Sequence, residues 1–291
     1  MPSSRSATLL GFGAIGLWGL LALFTTASGQ VPPFQLTAMT FAIGGAIGLG
    51  VVALRPGGLG LLAQSPVVWF HGVAGLFGYH ALYFTALRFA PPAEANLINY
   101  LWPLLIVLFS ALLPGHRLRA HHLIGAALGL AGTVLIIAGR GGLGSGFETA
   151  HLVGYLAAAA CALVWSTYSV TARLLPQAPT EAVAGFCLAA AVLAGLGHLA
   201  FEPTVWPASS TEWLAILALG IGPVGAAFYL WDRGMKRGDI QVLGAASYAA
   251  PVLSTLALVV FGFARPSLAL AGAVVLIVLG SLIASRDMLK R

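Results

Sequence analysis

Charge is scarce in this chain of 291 residues: Lys, Arg, Asp and Glu together make up 8% of it, about a third of the roughly 25% found in a soluble domain. So few charges cannot cover a water-facing surface, which excludes a soluble globular protein. A hydrophobic content of 59% excludes a disordered one. Cysteine is nearly absent. Cys161 and Cys187 both fall inside apolar stretches and read as reduced packing residues, not as a disulfide or a metal pair. The roughly ten-residue alternation of a transmembrane barrel is missing, so strands are not the spanning element. No GxSxG, HExxH or pair of aspartates stands within an apolar run, so no catalytic residue, metal ligand or cofactor is expected and an intramembrane enzyme is disfavoured.

What the chain has is long apolar runs and 37 glycines, nearly twice the average share. Membrane helices use small residues to pack closely. Ten runs, each near the roughly 20 residues a spanning helix needs, cover about 7–27, 34–54, 66–88, 92–113, 120–139, 150–173, 180–200, 211–233, 239–262 and 267–286. Pro and Gly clusters separate them, among them Pro32-Pro33, Pro91-Pro92, Pro114-Gly115 and Arg265-Pro266. The expectation is an all-α membrane protein of ten transmembrane helices. The first run is longer than a signal-peptide core and is expected to stay in place.

The basic residues fix an orientation. With the N-terminus inside, eleven face the cytoplasm: Arg5, Arg55, Arg117, Arg119, Arg173, Arg233, Lys236, Arg237, Arg286, Lys290 and Arg291. Three (Arg88, Arg140 and Arg265) face the other side. This bias predicts both termini in the cytoplasm. It also explains the net charge of +6 as a topology signal rather than a sign of nucleic-acid binding.

The chain also repeats itself. A shift of 148 residues lays Tyr100, Pro103 and Leu105 on Tyr248, Pro251 and Leu253, and a shift of 147 lays Trp18 on Trp165. Five helices per half is an odd number, so the second half is expected to enter the membrane upside down. That gives two repeats, 1–140 and 141–291, around a central cavity, the plan of many secondary transporters.

The residues that could carry binding follow that plan. Tyr79 and Tyr83 share one helix face. Asn96, Asn99 and Tyr100 share another, followed by Trp102. Asn in a membrane helix needs a partner or water, so these amides serve either as glue between helices or as ligand contacts. Rings beside amides suit a molecule with an apolar ring and a polar head. Ser247 and Tyr248 are their repeat mates, expected to face them across the twofold axis. Trp18 and Trp165 sit deep in their helices, either as packing or as cavity wall. His80 either bonds a neighbouring helix or contacts substrate. Pro103 and Pro251 bend their helices and are the expected hinges. Gly44/Gly48 and Gly125/Gly129 are expected at helix contacts. Trp206 and Trp213 read as interfacial anchors, and His116, His121 and His122 as solvated or lipid-facing.

Acidic residues are expected at span ends or in loops, with Asp232, beside Arg233, the one nearest the interior. Proton relays normally use buried acids. Their scarcity disfavours a carboxylate-driven antiporter and leans toward diffusion down the substrate gradient.

Together, Ala86 through Asn96, the run Asn99-Tyr100-Leu101-Trp102-Pro103 and the later stretch Ala245 through Leu253 resemble the EamA-type transporters of the drug/metabolite transporter (DMT) superfamily. Within it they look like the bacterial YddG group of aromatic amino acid exporters. The family often has Glu in the turn after the fourth helix, where this chain has His116, with Ala264 at the repeat position. The resemblance implies a multi-pass transporter in the bacterial inner membrane, exporting aromatic amino acids (Phe, Tyr, Trp) by alternating access. On that reading Tyr79, Tyr83, Trp102, Trp165 and Tyr248 supply ring contacts, while Asn99, Ser247 and His80 hold the amino and carboxylate groups. The alternative on the same fold is export of flat or quaternary cationic drugs, with the rings engaged in cation–π contact. The partners are thus a small-molecule substrate and the lipid bilayer.

Overall fold

The computed structural model describes residues 4–115, 117–139, 149–263, 265–284 and 286; His116, Ala264, the boundary at 140/141 and the C-terminal charges lie outside them. The described residues are helical, with no strand among them. In order the helices are α1 (Ser4–Trp18), α2 (Leu21–Ala27), α3 (Pro33–Ala53), α4 (Pro66–Val73), α5 (Tyr79–Phe89), α6 (Pro92–Asn99), α7 (Trp102–Ser110), α8 (Ala120–Gly139), α9 (Leu152–Thr171), α10 (Val183–Phe201), α11 (Ser210–Ile221), α12 (Ala227–Arg237), α13 (Ile240–Ala246), α14 (Ala249–Val260) and α15 (Leu268–Ala284).

Helix starts follow local chemistry. Proline opens α3, α4 and α6, where its missing N–H costs nothing. The Asp239 carboxylate accepts from the backbone N–H of Gln241 and Val242 at 3.2 and 3.1 Å and caps α13. Gly115 and Gly262 follow α7 and α14 with φ of 78° and 79°, a left-handed turn that a side chain would strain.

Among the described residues, seven helical stretches are long and apolar enough to cross a membrane: Ser4–Ala27, Pro33–Ala53, Ala120–Ala138, Thr149–Leu174, Thr180–Phe201, Ser210–Arg237 and Ile240–Val260. Glu94–Ser110 and Leu268–Ala284 are shorter apolar helices. The outer surface is apolar, with Leu199 and Leu268 exposed by 78% and 92%, as lipid contact requires.

Several apolar runs are interrupted, and the interruptions recur. A wide π-type turn, Ala74–Gly78, joins α4 to α5, and another, Gly222–Ala226, joins α11 to α12. α6 gives way to α7 at Tyr100–Leu101, and α13 to α14 at Ser247–Tyr248. Pro103 lies just past the first break and Pro251 just past the second. Each removes the N–H that would have bonded the carbonyl four residues earlier, and so weakens the ladder where it bends.

Helix pairs exchange partners between the two halves: α8 packs on α15, α3 on α10, α1 on α12 and α5 on α9. Glycine makes the closest approaches. A Cβ on Gly125 would stand 2.5 Å from the Gly280 carbonyl oxygen, and one on Gly44 would stand 2.8 Å from the Gly225 Cα. Only a residue without a side chain allows such contacts, the packing mode of membrane helices.

Candidate functional site

Four tryptophans meet at the centre. Trp18, at the end of α1, has its ring centroid 5.0 Å from Trp231, 5.7 Å from Trp165 and 6.3 Å from Trp102. Trp165 and Trp231 stack at 6.4 Å with 18° between planes, and Phe228 closes the group 5.9 Å from Trp165. Buried indole N–H groups need acceptors, and two are supplied. Trp18 donates to the Pro223 carbonyl at 3.1 Å, inside the second π-type turn, and Trp231 donates to Ser169 Oγ at 3.0 Å.

A polar face adjoins this cage. Tyr79 lies 5.3 Å from Trp165 and stacks on Tyr83 at 6.1 Å. The Asn99 amide donates to the Tyr79 hydroxyl at 3.1 Å, and the Tyr83 hydroxyl donates to Asn96 Oδ1 at 2.7 Å. Asn96 in turn donates to the Pro92 carbonyl. Asn99 is buried, and its Oδ1 has no hydrogen-bond partner among the described residues. A buried acceptor left unmatched is costly and calls for an explanation such as a ligand group. His80 lies 5.1 Å from Phe41 and 6.2 Å from Phe84, with Phe41 stacked on Phe228 at 5.5 Å. Tyr79, His80, Tyr83, Asn96 and Tyr100 are half-buried, so each keeps some surface free of protein contact.

The sequence pattern of the EamA-like transporter family matches this chain twice, over residues 5–138 and 152–286. The chain belongs to the EamA-like transporter family. It is 62% identical over 283 residues to the aromatic amino acid exporter YddG of Ancylobacter novellus, covering 97% of this chain and 98% of that one. The YddG of Salmonella typhimurium is 27% identical, covering 87% of each chain. The pseudopaline exporter CntI of Pseudomonas aeruginosa is 30% identical over 69% of this chain and 68% of its own. A solved crystal structure 61% identical to this chain superposes on it with a TM-score of 0.93, covering 97% of both chains.

In this EamA transporter the expected site residues divide. Trp18, Trp102 and Trp165 meet in the cage, with Tyr79, Tyr83, Asn96 and Asn99 beside it. Tyr100, the C-cap of α6, neighbours Tyr79 and Tyr83. Ser247 and Tyr248 lie apart. The Ser247 hydroxyl is fully buried and donates to its own helix at Leu243 O, 2.7 Å away. Tyr248 packs in a different apolar cluster with Val107 and Ile277, its ring lying against Gly129. The fit of that ring over a bare glycine backbone draws it away from the cage. His80 bonds the Leu76 carbonyl, four residues back in the π-type turn that leads into α5, at 2.7 Å, not a neighbouring helix.

Sequence reasoning missed Trp231, Phe228 and Phe41. The repeat held the signal for two of them, because a shift of 148 carries Tyr83 onto Trp231 and His80 onto Phe228. Other expectations are refined or corrected here. Asp232 forms a local salt bridge, with Lys236 at 2.8 Å one helical turn on in place of the adjacent Arg233, and accepts from Thr180 Oγ1 at 2.7 Å. Glu94 does stand at a span end, in the first turn of α6, and is buried there, held by the Tyr155 hydroxyl of α9. His121 and His122 are also buried, their rings 4.1 Å apart, and the Arg119 backbone N–H folds back onto His122 Nδ1. Trp206 and Trp213 are exposed and stacked on each other.

Proposed function

We propose that this transporter exports aromatic amino acids across the bacterial inner membrane by alternating access. The observation that carries the reading is the unmatched Asn99 Oδ1 beside a cage of four tryptophans. In it the substrate ring packs against Trp18, Trp165 and Tyr79, its ammonium group donates to Asn99 Oδ1, and its carboxylate accepts from the Tyr79 O–H. Tyr79 has that proton to give because its oxygen is already accepting from Asn99. The name carried by the 62% identical relative supports the same substrate class.

The working architecture is ten spans in two inverted repeats, 1–140 and 141–291, with both termini in the cytoplasm. The bias of basic residues supports the orientation, and three observations support the repeats. The two π-type turns stand 148 residues apart, the breaks at Tyr100 and Tyr248 fall at the same shift, and the helix pairs exchange partners between halves. Pro103 and Pro251, at the breaks, are the hinges on which the halves rock. The test is uptake of labelled Phe, Tyr and Trp by purified protein in liposomes. Saturable flux of all three is expected, competing among themselves. No flux above empty liposomes, or flux of a flat cation that the amino acids do not inhibit, refutes the substrate assignment.

A further inference from the structure

His80 is the residue of this site whose chemistry the export reading leaves unused. Its Nδ1 lies 2.7 Å from the Leu76 carbonyl, and a carbonyl can only accept, so Nδ1 carries the proton. That carbonyl lies within the π-type turn Ala74–Gly78, where the helical ladder is widened. In the neutral ring the other nitrogen, Nε2, is then an acceptor by necessity. It has no partner among the described residues. The ring is half-buried and held by Phe41, Tyr79, Phe84 and Phe228 at centroid distances of 5.1 to 6.4 Å; the phenylalanines have no proton to offer, and the Tyr79 hydroxyl is engaged with Asn99. The site therefore holds two acceptors with distinct placements: Asn99 Oδ1 beside the Tyr79 hydroxyl, and His80 Nε2 among the phenylalanines.

We infer that His80 is a specificity residue, its Nε2 accepting the hydrogen-bond donor carried on the substrate's ring, the indole N–H of Trp or the phenol O–H of Tyr. This rests on the export reading and deepens it. The amino acid backbone engages Asn99 and Tyr79, and the far end of the ring meets an acceptor whose tautomer the π-type turn has fixed in advance. A substrate without a ring donor leaves Nε2 unmatched, so Trp and Tyr are preferred over donor-free isosteres.

The probe is 3-(3-benzothienyl)alanine, which replaces the indole N–H with sulfur at nearly the same shape. In liposomes containing the wild-type protein, Trp is expected to be carried with a flux efficiency about three- to tenfold above the benzothienyl analogue. His80→Phe, which keeps an aromatic ring and removes the acceptor, is expected to bring that ratio to about one. His80→Gln, whose carbonyl can still accept, is expected to restore part of it. Equal transport of the two probes by the wild-type protein overturns the inference while leaving aromatic amino acid export intact. So does a ratio unchanged in His80→Phe. Absence of flux for Phe, Tyr and Trp alike refutes the export reading and this inference with it.

Discussion

At the scale of single residues, position in a hydrogen-bond chain matters more than residue type. Asn96 and Asn99 look equivalent in the sequence, three positions apart. The structure spends Asn96 on Tyr83 and Pro92, whereas Asn99 keeps an acceptor in reserve. Asn99→Ala is therefore expected to lower aromatic amino acid flux about tenfold or more in liposomes. Asn96→Ala is expected to cost less, because both ends of its amide are already engaged within the protein and leave nothing for substrate. Equal losses from the two would contradict this division. Asp232 makes a second residue-scale case. Its pair with Lys236 is almost wholly buried, and removing one partner leaves a charge stranded. Asp232→Ala is expected to destabilise the protein by about 3 kcal/mol, read as a drop in melting temperature in detergent. Asp232→Ala combined with Lys236→Met should recover much of the loss.

At the scale of elements, glycine sets how near helices come, and the cost of replacing it depends on what lies opposite. Gly125 faces the Gly280 backbone across the α8–α15 contact. Gly125→Leu is expected to cost about 1–3 kcal/mol by overpacking and to lower the melting temperature. Gly50, on α3, has nothing within 4 Å of its missing Cβ. Gly50→Ala is expected to be neutral or stabilising by about 0.5–1 kcal/mol, since helix interiors favour Ala. Similar destabilisation by both would show that glycine content, not contact geometry, is what counts. The paired prolines belong to this scale too. Pro103→Ala and Pro251→Ala restore a ladder hydrogen bond at each break and should slow turnover while leaving substrate affinity nearly unchanged. That separation is measured by comparing flux with equilibrium binding of Trp.

At the scale of the whole molecule, the few buried acids are spoken for. Asp232 is neutralised by Lys236 and Glu94 is held by Tyr155. Asp232 adjoins Trp231 of the cage, but its carboxylate is taken up by Lys236 and Thr180, so among the described residues a carboxylate relay through the centre has no free acid to run on. Flux is accordingly expected to follow the substrate gradient and to be insensitive to an imposed pH gradient across the liposome. A rate that rises several-fold with such a gradient would overturn this.

The sequence by itself determined the solvent, the element and the rhythm of the chain. Too little charge and too many apolar residues left only the bilayer, the bilayer left only helices, and Pro and Gly marked where they stop. These are legible because each rests on composition or on neighbours a few positions apart. The cage was legible in part. Trp18, Trp102 and Trp165 stood out as deep aromatics, and Tyr79 with Asn99 as a ring beside an amide. Which of them touch was decided only by the tertiary structure. Tyr100 and Tyr248 are repeat mates in identical sequence positions, yet Tyr248 sinks against Gly129 while Tyr100 stays beside the site. Trp231 enters the cage though nothing in its own neighbourhood singled it out. A helix in an apolar surrounding has no hydrophobic face to announce its inner side. The side that turns inward is chosen by fit, through glycine contacts and single hydrogen bonds to residues far along the chain.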